Sequence, residues 1–249
     1  MIGRTRWHFP EVDSTQNIAF ALAEAGANHG TIVRADYQSA GRGRQGKTWQ
    51  APTGSSLMFS VLLRPEVPFH ELGTLSILVA RALADEVASR TTDPVHIKWP
   101  NDVLMNGKKL SGILLQTRSN PSPVAVLGIG INLNMPPELL PETATSLSRH
   151  VPAEIDPGML LDSLAVRLNS TWDSVGNKLS ASILQKLDKR LWLNQEIVSL
   201  LDGDRVITGR ILGIAQNGGL RLNVQGRERV VVAGEITRGP RPVSEQNAE

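Results

Sequence analysis

Residues 41–49, Gly41-Arg42-Gly43-Arg44-Gln45-Gly46-Lys47-Thr48-Trp49, carry the densest chemistry in the chain. The glycines let backbone approach a ligand closely, while Arg42, Arg44 and Lys47 crowd positive charge into one short segment. Cations so placed repel one another until an anion arrives. Trp49 ends the run with a flat apolar face on which a ring can stack. These types at this spacing predict a loop that is loose when empty and closes over a ligand bearing a phosphate and a ring. Gly41, four residues, then Gly46-Lys47-Thr48 also spells the phosphate-loop signature of nucleotide hydrolases. That signature needs a helix behind it, because the helix N-terminus helps hold the phosphates. Here Pro52 and Gly54 fall where the first helical turns would be, which disfavours that reading.

Four further runs hold candidate site residues. Lys98-Trp99-Pro100-Asn101-Asp102 packs a cation, an aromatic ring, a rigid proline, an amide and a carboxylate into a predicted strand end. Its plain alternative is a strand closing into an Asn-Asp turn. Lys109-Leu110-Ser111-Gly112-Ile113-Leu114 sets a lysine and a glycine in a strand, as close backbone approach to a ligand requires, or as a bulge beside an exposed lysine would. Gly128-Ile129-Gly130-Ile131-Asn132 reads either as ligand approach or as tight sheet packing. Asp13-Ser14-Thr15-Gln16 is a helix cap first and a ligand clamp second.

The elements that must position these residues follow from periodicity. Helices are predicted at Ile18 to Ala25, ended by Gly26, and at Glu71 to Arg90, with Leu72, Leu75, Leu78, Val79, Leu83 and Val87 at helical spacing. Two more are predicted at Gly158 to Val175 and Ala181 to Trp192. Strands are predicted at Thr31 to Tyr37, Ser56 to Leu63, Val95 to Trp99, Val103 to Lys109, Leu110 to Thr117 and Val124 to Asn132. Asn106-Gly107 marks a hairpin, and Met135 to Pro157 an irregular connection. Past Gln195, short apolar runs separated by Asp202-Gly203, Asn217-Gly218-Gly219 and Gln225-Gly226 predict a small β-barrel, marginal alone at that size.

Composition narrows the class. With 249 residues, 41% hydrophobic and 20% charged, the chain can bury one core and still carry a small appendage. It has no cysteine, so neither a disulfide nor a thiolate metal site can form. The five histidines show no paired spacing for zinc. A net charge of +2 is too small to argue for nucleic acid, and its local clustering suits a small anion. The opening residues show no signal segment and no apolar stretch reaches membrane-spanning length, so a cytoplasmic protein without membrane or nucleic-acid partners is expected.

Taken in order, these motifs resemble those of the biotin protein ligases: the Gly-Arg-Gly-Arg-x-Gly loop ending at Trp49, Lys98 to Asp102, Lys109 with Gly112-Ile113-Leu114, and Gly128 to Asn132. Asp13-Ser14-Thr15 upstream and Gly234-Glu235-Ile236 near the end extend the likeness over almost the whole chain. The resemblance implies an α+β fold. Its core would be a mixed, largely antiparallel sheet with helices mainly on one face, like the class II aminoacyl-tRNA synthetase core. A catalytic domain would span residues 1–193, a small C-terminal β-barrel residues 194–239, and a disordered tail residues 240–249.

It implies a reaction in which biotin and ATP form biotinyl-adenylate and pyrophosphate, and biotin then passes to a lysine of a biotin carboxyl carrier protein. Arg44, Lys98, Asp102 and Lys109 would be catalytic. Ser14, Thr15, Gln16, Gln38, Gly41, Arg42, Gly43, Arg44, Lys109 and Gly112 would bind biotin. Arg44, Lys47, Trp49, Lys98, Asn101, Lys109 and Asn132 would bind ATP, with Asp102 helping to hold Mg²⁺. Gln16 and Gln116 depart from the family pattern, which commonly has Asn and Glu there. A lipoate ligase and a biotin-capturing module are the rivals. About a dozen residues before Asp13 leave no room for the DNA-reading domain of repressor relatives, so a monofunctional form, monomer or homodimer, is expected.

Overall fold

The computed structural model describes residues 1–119, 122–152, 154–175, 179–203 and 205–238. The predicted tail after Gly239 lies outside the described residues. A seven-stranded sheet runs β1-β2-β3-β7-β6-β5-β4, from β1 (Arg6–Val12), β2 (Ile32–Gln38), β3 (Ser56–Leu63), β4 (Val95–Lys98), β5 (Asp102–Met105), β6 (Lys108–Arg118) and β7 (Val124–Asn132). Only β1 and β2 pair in parallel, which makes the sheet mixed and largely antiparallel. A second, fully antiparallel sheet runs β11-β10-β9-β8-β12, from β8 (Ile197–Asp202), β9 (Arg205–Ile214), β10 (Leu220–Val224), β11 (Arg227–Val231) and β12 (Glu235–Arg238).

The interior strand β3 is buried along its whole length because helices cover both faces of the sheet. Leu57, Phe59, Val61 and Leu63 face the main core, shared with α2 (Leu75–Ala88) and α3 (Pro157–Trp172). Leu62 faces the other way and joins Val33, Val126, Ala19, Phe20 and Ala23 beneath α1 (Thr15–Glu24). The placement of α1 opposite α2 and α3 leaves the site-bearing face open beyond its N-terminus. The main core continues into the second sheet through Val198, Leu200, Ile211, Leu220 and Leu222, with α4 (Ala181–Arg190) between.

Several boundaries differ from the sequence expectation. The strand β1 escaped notice because Pro10 interrupts it, which an edge strand tolerates since one side needs no ladder hydrogen bonds. The predicted helix from Glu71 begins instead as a 3₁₀ turn over Phe69–Thr74 and becomes α-helical only at Leu75. Thr74 offers no side-chain cap bond there. Asn106 and Gly107 both take positive φ, 50° and 76°, as the predicted tight hairpin requires. The bulge expected around Gly112 falls at Leu110, where the β5–β6 register skips a residue. The run predicted from Val103 to Lys109 divides at the hairpin into β5 and the first residues of β6, and the strand predicted from Leu110 continues β6 without a break.

Candidate active site

The open face of the sheet forms a cavity of about 420 Å³. Its floor is made by glycines at places where side chains would fill it. Gly112 on β6 and Gly130 on β7 lie opposite each other in register, and the indole of Trp49 covers both. A β-carbon on Gly130 would come within 2.5 Å of the ring, and one on Gly112 within 3.2 Å. Gly128 is likewise covered by the Gln16 side chain, 3.0 Å from where a β-carbon would stand. The glycines are thus close-approach positions, and none of the three needs positive φ.

The polar end of the cavity is set by the start of α1. Ser14 caps the helix, its hydroxyl accepting from the Gln16 amide at 3.3 Å. Gln38 Oε1 accepts from the Thr15 backbone at 2.7 Å, and Thr15 Oγ1 meets Ser60 Oγ at 2.8 Å. Gln16 Nε2 donates to the Leu114 carbonyl at 3.0 Å, so this departure from the family pattern still finds a fixed partner. Ser60, unremarked in the sequence, sits on the Met58-Ser60-Leu62 side of β3, where strand alternation would have pointed.

The cationic loop is held at three points. Arg42 donates to Asn17 Oδ1 on α1. Arg44 Nη1 donates to Asn101 Oδ1 at 2.8 Å, and Lys47 Nζ to Glu235 Oε2 at 2.9 Å on β12. Each of the three cations expected to repel one another thus has its own partner. Arg42 and Arg44 are held by amides, which fix their geometry without cancelling their charge. Asn101 is itself fixed, donating from Nδ2 to the Ile113 carbonyl while its own carbonyl accepts from the Ile113 amide.

The other charges lie alongside. Lys109 Nζ stands 2.9 Å from Asp102 Oδ1, at ion-pair distance though off the axis of a hydrogen bond, so that buried oxygen stays without one. The same ammonium is 5.9 Å from the centre of the Trp49 ring. Lys98 Nζ lies 5.5 Å over Trp192. The hydrogen bond from Lys47, with the nearby charges of Lys98 and Lys109, holds the Glu235 carboxyl below the usual carboxylate value, outweighing partial burial. Asp102 and Glu235 are the carboxylates of a lining otherwise rich in cations.

Every residue singled out from the sequence for this site lines the cavity, except Gly41. Gly41 pairs with Trp49, whose amide donates to its carbonyl at 3.0 Å, and it borders a hollow behind the loop with Leu114 and Gln116. A β-carbon there would fall 2.3 Å from the Trp49 carbonyl oxygen, so Gly41 sets the loop's closure. Trp99, one of the most conspicuous sequence signals, is fully buried, its Nε1 donating to the Gly218 carbonyl at 3.0 Å. Gly234 and Glu235, quoted from the sequence only as part of the family likeness, also line the cavity from the second sheet, and sequence reasoning missed Pro141 and Ala144 from the irregular connection.

The family model for the biotin/lipoate A/B protein ligases matches residues 8–134, the stretch that builds most of this cavity. The chain belongs to the biotin/lipoate A/B protein ligase family. The ligase is 33% identical to the biotin–[acetyl-CoA-carboxylase] ligase of Mycobacterium tuberculosis over 91% of this chain and 86% of that protein. It is also 33% identical to the enzyme of that name from Paracoccus denitrificans, over 91% of this chain and 98% of that one. Among solved structures, the biotin protein ligase of Aquifex aeolicus in complex with biotin and ATP superposes with a TM-score of 0.77 at 30% identity. That match covers 94% of this chain and 98% of the other. No helix among the described residues is long and apolar enough to cross a membrane.

Proposed function

We propose that this ligase activates biotin with ATP and transfers it to a lysine of a biotin carboxyl carrier protein. One observation carries the reading: Arg44, Lys98 and Lys109 converge with Trp49 on a single cavity floored by glycine. In the first step a biotin carboxylate oxygen attacks the α-phosphorus of ATP, forming the mixed anhydride as pyrophosphate leaves. Two anions must meet, and the convergent cations offset their repulsion as the transition state forms. A single such donor is typically worth about 100- to 1,000-fold in rate. In the second step the carrier lysine's neutral amine attacks the anhydride carbonyl, the amide forms, and AMP departs.

Ser14, Thr15, Gln16 and Gln38 would receive biotin's polar groups, bordered by Gly43, Arg42 and Gly112. Trp49, Lys47, Asn101 and Asn132 would border the nucleotide. Asp102 is a single carboxylate, and no cluster of three or more potential metal-ligating side chains occurs among the described residues. That suits Mg²⁺, which commonly takes one or two protein carboxylates and fills its shell with phosphates and water. Bound there, the ion would offset phosphate charge. The class II synthetase likeness of the core and the barrel character of the second sheet belong to this same reading.

The deciding assay is biotin-dependent exchange of labelled pyrophosphate into ATP, with lipoate in parallel. Exchange with biotin alone is expected. Exchange with lipoate instead would reassign the substrate, and silence with both would overturn adenylation.

A further inference from the structure

His150 lies outside the cavity lining, yet it ends a chain of hydrogen bonds that leads there. Its Nδ1 sits 2.5 Å from Asp93 Oδ2, and its Nε2 sits 2.8 Å from Thr145 Oγ1. The His150 carbonyl accepts from Thr91 Oγ1 at 2.9 Å, so its backbone is held as well as its ring. Asp93 faces Nδ1 and the buried Thr145 hydroxyl faces Nε2, so both ring nitrogens are engaged.

Thr145 is where the chain reaches the site. Its carbonyl accepts from Asn132 Nδ2 at 3.0 Å, and its amide donates to the Lys109 carbonyl at 2.9 Å. The Lys109 amide in turn donates to the Thr143 carbonyl at 2.8 Å. The segment 143–145 therefore holds two cavity residues from different strands; Ser146, accepting from the Met135 amide at 2.9 Å and donating to the Leu133 carbonyl, ties its far end to the end of β7, and His150 holds the Thr145 side chain. No regular helix or strand does so, since the segment belongs to the irregular connection after β7.

We propose that His150, through Thr145, is a positioning residue that fixes Asn132 and Lys109 for the nucleotide. The assignment rests on the proposed adenylation for its functional half only. A misplacement of about 1 Å at a reacting centre can cost on the order of 100-fold, so a lost tether that loosens Asn132 is expected to cost roughly 10-fold. Thr145 is buried and reaches no cavity wall, which leaves no direct contact role for the pair.

The test has two readouts. In nitrogen-labelled, ligand-free protein, the Asn132 side-chain amide resonance, assigned by its loss in Asn132→Asp, is expected to shift in both His150→Phe and Thr145→Val. In pyrophosphate exchange those variants are expected to raise the KM for ATP about 10-fold. Thr145→Ser, which keeps the hydroxyl, and His150→Gln, which keeps a polar group at reach, should stay near the parent in both. An unmoved Asn132 amide in both disruptive variants overturns the tether. A moved amide with parental KM for ATP overturns its role in positioning. Because the amide is read without any substrate, absence of biotin-dependent exchange in the parent would overturn the proposed reaction and leave the tether to its own result.

Discussion

The indole of Trp49 occupies the volume a β-carbon on Gly130 would need, since that atom would fall 2.5 Å from Trp49 Cε2. Gly130→Ala is therefore expected to push the ring off the sheet without unfolding it. If the ring is a stacking platform worth ~0.5–1.5 kcal/mol, both Gly130→Ala and Trp49→Ala should raise the KM for ATP about 3- to 10-fold. The double variant should be no worse than either alone, because both remove the same contact. Additive losses in steady-state kinetics would separate the two residues.

Arg44 is held by Asn101, so the loop's closure and the turn after β4 are mechanically one unit. Arg44→Gly is expected to let the adenylate escape before transfer, so that lysines of unrelated proteins become biotinylated. Asn101→Ala should act in the same direction but less, because the guanidinium stays while its anchor goes. Labelling of a bystander such as serum albumin reads this directly. Parental selectivity in Arg44→Gly would sink the gating idea.

Two histidines set an acid limit on stability. Burial, joined for His29 by the N-terminal charge and Arg64 and for His96 by Arg190, lowers both below 6.5. The unfolded chain then takes protons first as pH falls, so the stabilisation is fully present above 6.5 and is lost as pH drops through the lower folded values. Melting temperature should fall between pH 7.5 and 5.5, and His96→Asn should flatten that fall. His96 Nδ1 is already buried without a partner, which makes it the cleaner of the two to replace.

The ion pair between Lys47 and Glu235 is partly exposed, so its worth is small. A double-mutant cycle with Lys47→Met and Glu235→Gln is expected to give a coupling of ~0.2–1 kcal/mol that shrinks with added salt. The depressed Glu235 carboxyl places the loss of this contact below the ordinary 4.5, a lower window than the histidines. A coupling insensitive to salt would contradict an ionic latch.

Trp99→Phe removes one hydrogen bond and leaves the Gly218 carbonyl unpaired in a buried place. The expected loss is about 1–3 kcal/mol in denaturant unfolding, against ~3–5 kcal/mol for Trp99→Ala, which also opens a cavity. An equal loss for both would deny the hydrogen bond any part.

The loop, the Lys98 to Asp102 run and the glycine stripe were legible from sequence because residue type and spacing carry their chemistry. The same is true of Asn106-Gly107, where positive φ demands such residues. Trp99 misleads in isolation, since nothing local tells a stacking platform from a core residue whose indole reaches a carbonyl 119 positions away. The place of Gly234-Glu235 in the site and the Asp93–His150–Thr145 chain were not legible for that reason: their meaning arises from contacts between segments far apart in sequence. Pro10 hid β1 because local propensity speaks against a strand that the edge position permits.

The bond from Trp99 to Gly218, and the reach of Glu235 to the loop, also bear on the order in which the molecule comes into being. A nascent chain that has emerged only as far as β7 already carries the loop, the floor glycines and the three site lysines. It still lacks the carbonyl that receives Trp99 and the carboxylate that anchors Lys47. A finished cavity therefore forms only after residues near the C-terminal end have left the ribosome, so a chain stopped at β7 carries the loop and the glycines without the contacts that complete their surroundings.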